Sequence, residues 1–119
     1  MSKLPLPPPD QANNPHWTDT STTYRTSPEK AAALQAIAAR FPDRTTLPVM
    51  QEVILEALRH SPCTTDEMFR YMGCDSCHVA LPRLRQQGYK ISKRWIMAED
   101  PLNPGARRRC ALFYLEDAA

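Results

Sequence analysis

The residues able to build a packed interior are confined to one stretch, and this restricts the fold more than any other feature of the sequence. Seven of the twelve prolines precede Thr45 (Pro5, Pro7, Pro8, Pro9, Pro15, Pro28 and Pro42), whereas Val, Ile and Met, apart from Met1 and Ile37, follow it. Residues 45–119 must therefore form the domain. About 75 residues suffice for three helices and a hairpin, but such a domain is marginally stable unless it packs well or dimerises.

Residues 1–26 combine Leu4-Pro5-Leu6-Pro7-Pro8-Pro9 with Asn, Thr, Ser and Asp. They carry too little apolar area to offset the entropy of ordering them, so a disordered Pro-rich tail is expected. Its removal should leave stability nearly unchanged. Pro5 to Pro9 favour polyproline II, and Trp17 and Tyr24 could order against a protein partner.

Ser27-Pro28-Glu29 reads as an N-cap, a first-turn proline and a first-turn acid, followed by an alanine-rich run to Phe41. Residues 27–43 are therefore an accessory helix. Leu34, Ile37, Ala38 and Phe41 recur at i, i+3, i+4 and i+7. Two uses of that apolar stripe stay open: covering the domain, or forming a homodimer through Leu34, Ile37 and Phe41.

Leu47 to His60 is the next helix, with Val53, Ile54, Ala57 and Leu58 inward and Ser61-Pro62 as its stop. Thr64-Thr65-Asp66-Glu67 has the pattern of a capping box, which starts a short helix over 65–72 burying Met68, Phe69 and Met72. Gly73 is placed to close it in the left-handed conformation. A third helix runs over about 76–87 to Gly88, interrupted by Pro82, which removes one backbone bond and should bend the helix or delay its start. Residues 89–97 and 109–115 are rich in strand formers. The loop between them over 98–108, with Pro101, Asn103, Pro104 and Gly105, makes a hairpin with a long tip.

Charge follows this layout. From Val79 to Cys110 there are eight basic residues against two acidic, whereas residues 1–43 hold four of each sign. Formal net charge for the chain is only +2, so the distribution carries the signal.

The order helix, capped helix, glycine turn, helix, hairpin resembles the winged helix-turn-helix superfamily, a mainly α fold with a small β-hairpin (α+β). It is similar in particular to small helix-turn-helix proteins of bacteriophages and prophages. The likeness rests on Ile54-Leu55 and Leu58, Thr64 to Phe69, Gly73-Cys74, and most specifically Leu81-Pro82-Arg83-Leu84-Arg85-Gln86-Gln87-Gly88-Tyr89-Lys90-Ile91. It implies double-stranded DNA binding, often in transcription regulation. The helix over 76–87 would then read the major groove through Ser76, His78, Val79, Arg83 and Gln86, with Arg83 able to pair with guanine O6 and N7. Lys90, Lys93, Arg94, Arg107, Arg108 and Arg109 would meet the flanking backbone or minor groove as the wing.

Other classes have less to rest on. His16, His60 and His78 lack a nucleophile at motif spacing, and no Gly-rich phosphate loop or apolar-set carboxylate pair occurs, so no enzyme and no cofactor are expected. Cys74-x-x-Cys77-His78 with Cys63 has ligands in number for one zinc, but a lone CxxC is half a ribbon, and Cys77 should point into the core. With no long apolar run and no basic-then-apolar start, a cytoplasmic chain with reduced thiols is expected, nucleoid-associated or in a host cell if phage-encoded. A protein-interaction module, or an accessory factor in replication, packaging or recombination, remains the alternative.

Overall fold

The structure, a computed structural model, describes residues 6–116. In chain order it contains a 3-10 turn at Pro9–Gln11, then β1 (Thr18–Tyr24), α1 (Pro28–Ala39), α2 (Leu47–His60), β2 (Cys63–Thr64), α3 (Thr65–Met72), α4 (Cys77–Gln86), β3 (Ile91–Glu99) and β4 (Arg107–Leu115).

The helix boundaries follow from local chemistry. Ser27 accepts from the Lys30 amide and Pro28 occupies the first turn of α1. Arg44 closes the other end, its Nη1 donating to the carbonyls of Ala38 (2.7 Å) and Phe41 (2.8 Å). The capping box at α3 is complete, with both the Thr64 hydroxyl and the Glu67 carboxylate engaged. Gly73 ends α3 at φ 68, a conformation that costs a side-chain-bearing residue about 1–2 kcal/mol. Pro82 lies inside a helix that continues through it. It is exposed and its predecessor by four, His78, is exposed too, so the carbonyl that loses its amide partner faces solvent.

Leu34, Met50, Val53, Ile54, Leu58, Met68, Met72, Ala80, Leu81 and Leu84 form the core with Ile91. Leu34 and Ala38 are buried within it and Phe41 packs against it. Leu34, Ala38 and Phe41 of the α1 stripe thus pack on the domain, whereas Ile37 is half-buried and outside that cluster.

The sheet runs β1-β3-β4-β2. The antiparallel β3–β4 pair extends from Ile91↔Leu115 to Glu99↔Arg107. The hairpin tip is accordingly shorter than the 98–108 expected from sequence. Ala98 and Glu99 pair with Arg108 and Arg107, and the Asp100 amide closes the loop on the Ala106 carbonyl at 2.9 Å. β2, at the α2–α3 junction, pairs with β4 through Cys63↔Phe113 and Thr64↔Leu112.

The N-terminal segment departs most from expectation. Residues 18–24, expected within a disordered tail, form β1 and pair in parallel with β3, Thr18 opposite Trp95, Asp19 opposite Ile96 and Tyr24 opposite Ala98. The register shift after Asp19 makes residues 20–23 bow out of the ladder. The Asp19 carboxylate steadies that bulge, accepting from the Ser21 amide (3.0 Å) and hydroxyl (2.6 Å). These bonds hold its carboxyl below the usual range. Met1 to Pro5 lie outside the described residues.

What anchors the segment is polar. Tyr24 and Thr26 donate their hydroxyls to the Glu67 carboxylate at 2.9 and 2.6 Å, Lys30 pairs with it at 3.1 Å, and the Thr64 amide donates at 2.9 Å. Lys30 also donates to Tyr24 Oη and to the Pro62 carbonyl. Glu67 is 2% exposed. Its carboxylate is satisfied on every side, which is the condition for burying a charge.

Candidate nucleic-acid interface

The burial of Glu67 sets which side of α3 faces out. At 100° per residue, Glu67, Met68, Tyr71 and Met72 share one side, and Phe69, two positions from Glu67, is turned 200° away. Phe69 is therefore 62% exposed, contrary to its expected burial. It lines a depression of about 370 Å³ with Asp66, Cys74, Asp75, His78 and Arg108, at the junction of α3, α4 and the hairpin.

On α4, Cys77, Ala80, Leu81 and Leu84 are buried, while His78, Val79, Arg83 and Gln86 are exposed and Ser76 is half-buried at the N-cap. The expected reading residues thus share the outer side of one helix. None of the ion pairs among the described residues uses Arg83 or a basic residue of the hairpin. Arg85 is different: its Nε donates to the Ile91 carbonyl at 2.9 Å and its guanidinium lies 5.9 Å from the Phe113 ring centroid. It clips α4 to β3.

The hairpin does not present its cations as one group. Side chains alternate between sheet faces and cross-strand partners share a face, so the register puts Lys93, Trp95, Arg107 and Arg109 on one side and Arg94 and Arg108 on the other. Lys93 Nζ and the Arg109 guanidinium lie 4.7 and 4.3 Å from the Trp95 ring centroid. Arg107 donates to the Thr20 carbonyl at 3.2 Å, over the β1 bulge. Arg94 has its Nε buried without a partner among the described residues. Lys90 is exposed where α4 turns into β3. Arg108 is the cation brought to the helix pair. It lines the Phe69–His78 depression and a second one, of about 390 Å³, that includes Asp66, Arg70, Pro101 and Pro104.

A two-helix unit with a glycine turn, an exposed second helix and a hairpin whose tip end lies beside that unit is the layout of these elements. A family model described as a winged helix-turn-helix domain matches residues 50–118. The chain belongs to the winged helix-turn-helix family. No curated protein and no solved structure matches it. Winged helix-turn-helix domains bind DNA in general, and in that frame α3 and α4 are the helix pair and β3–β4 the wing.

Three of the four cysteines serve the interior. Cys63, Cys74 and Cys77 are free and buried. Burial pushes the thiols up to about 12, 11 and 12 respectively, so they are protonated at neutral pH. Among the described residues, no three His, Cys, Asp or Glu side chains gather as metal ligands, and no helix is long and apolar enough to cross a membrane.

Sequence reasoning missed the exposure of Phe69, the Trp95 stack and the role of β1. The signal for Phe69 was present in Lys30, Tyr24 and Thr26, the partners that draw Glu67 inward. They lie too far from it in sequence for a local pattern to link them.

Proposed function

We propose that the chain binds double-stranded DNA as a sequence-specific transcription regulator of the phage or prophage type. In this reading α4 lies in the major groove, with Ser76, His78, Val79, Arg83 and Gln86 toward base edges, and the wing meets the adjacent backbone or minor groove. The observation that carries it is the outer side of α4, exposed and centred on an Arg83 outside every ion pair named above, with Arg108 at the helix end. Arg83 supplies a fork for guanine, worth about 1–3 kcal/mol of discrimination.

The wing residues divide by task. Arg108 is placed for phosphate next to α4. Lys93 and Arg109, held over Trp95, and Arg107, partly occupied by the Thr20 carbonyl of β1, lie on the other side of the hairpin, where they attract the duplex without reading it. Leu34 is buried inside its own chain, which leaves Ile37 and Phe41 of the expected dimer stripe half-buried.

The test is fluorescence anisotropy of the full chain against the duplex upstream of its own gene and a scrambled duplex, across salt. Tighter binding to the first, with log affinity falling against log salt at a slope of about −3 to −6, supports the proposal. Arg83→Ala should narrow the difference between the two duplexes more than it weakens binding to the scrambled one. Equal binding to both would replace regulation with an architectural, replication or packaging role. Absence of binding at about 100 μM would replace DNA with a protein partner.

A further inference from the structure

The wing tip carries a residue that neither charge nor packing explains. Leu102 is 86% exposed, on a tip from Asp100 to Ala106 that its own hydrogen bonds hold in shape. The Asp100 carboxylate accepts from the Leu102 amide at 2.9 Å and from Asn103 Nδ2 at 3.1 Å. The Ala106 amide donates to the Asn103 carbonyl at 3.0 Å. Pro101 and Pro104, on either side of Leu102 and Asn103, remove backbone freedom from the same loop. The acid is thus turned to the loop's own donors, and the side chain offered outward is a branched hydrocarbon. Arg107, Arg108 and Arg109 follow directly in β4 and supply the positive charge that would draw the tip to a phosphate backbone.

We propose that Leu102 is a minor-groove wedge, inserted between two stacked base pairs so that the bound duplex bends. This rests on the DNA-binding reading above and adds to it a physical outcome, a kink. Apolar side chains enter the minor groove by partly unstacking one step, most readily a pyrimidine–purine step such as TA. A wedge must be apolar, preordered and delivered by flanking cations. Leu102 is apolar, its backbone is fixed by Asp100, and Arg107 and Arg108 stand on the two faces of the hairpin just behind the tip. The small exposed residues that follow it, Gly105 and Ala106, leave the approach open.

The experiment uses the full chain and a duplex of alternating T and A, so that every register offers a flexible step. The ends carry a fluorescent donor and acceptor, and adenines near the centre are replaced by 2-aminopurine. The unaltered protein is expected to raise energy transfer between the ends and to brighten 2-aminopurine as it unstacks. Leu102→Ala should bind with affinity within about tenfold, since the burial it loses and the unstacking it avoids oppose each other, yet produce neither signal. Leu102→Ile should restore both. Equal bending by Leu102→Ala would overturn the wedge, as would binding of the unaltered protein without bending; both leave the DNA-binding reading intact. No binding by the unaltered protein even at about 100 μM, the weak end of ordinary nonspecific affinity, would overturn the DNA-binding reading and the wedge with it.

Discussion

Glu67 does three tasks with one carboxylate. It completes the cap of α3, neutralises Lys30, and receives the hydroxyls of Tyr24 and Thr26. Losing either charge leaves the other buried and unpaired. Glu67→Ala or Lys30→Met should each cost about 3–5 kcal/mol in urea unfolding. Replacing both residues by apolar ones of similar size should cost clearly less than the two single changes added together. An additive result would show that the pair does not act as a unit. The capping role was legible in Thr64-Thr65-Asp66-Glu67, because a cap is a contact between near neighbours. The other two roles were not, since Tyr24, Thr26 and Lys30 lie some forty residues away in the chain.

The thiols make a second residue-scale prediction. Burial raises Cys63 and Cys77 from 9.0 to about 12, so the fold favours their protonated form. That contribution is complete below pH 9 and is lost as pH climbs from there toward 12, because the unfolded chain ionises first. The urea midpoint should fall over that interval. Replacing Cys63 and Cys77 by Ala should flatten the fall, and an unchanged slope would trace it to other groups.

Among the elements, α2 and α3 have the bounds their sequence patterns give, since Ser61-Pro62, Thr64 and Gly73 act within a turn of where they stand. α4 keeps its register despite Pro82, because the bond lost is on the solvent side. β1 is the element that local chemistry does not announce. Its composition is that of a tail, and its strand character exists only beside β3. This reverses the expected result of truncation. Deleting residues 1–26 removes two hydroxyl donors from a buried carboxylate and uncovers the edge of β3, so stability should fall by about 2–4 kcal/mol by urea unfolding. An unchanged midpoint would show that β1 contributes no net stability. The strands of the wing were legible in kind but not in length, since the extra pairs Ala98↔Arg108 and Glu99↔Arg107 come from cross-strand bonding.

At the scale of the molecule, the fold class could be read from the order of elements, and the outer side of α4 from its periodicity. The splitting of Arg107, Arg108 and Arg109 between two sheet faces could not, because the register of β4 on β3 fixes it. The covering helix also bears on assembly. With Leu34 inside its own chain, Phe41→Asp should reduce stability in urea without changing the sedimenting mass; a change in mass would return that stripe to an interface.

The parallel pairing of β1 with β3 gives the chain an order of completion. During synthesis residues 18–24 leave the ribosome first, yet the strand they join, residues 91–99, is made some seventy residues later. Antiparallel β3 and β4 can close as a local hairpin, whereas β1 must wait for them and close a long loop, which is the slower kind of step. β1 is therefore made before its sheet partner and expected to join it late, so a nascent chain halted before β3 would hold residues 18–24 without the strand they pair with.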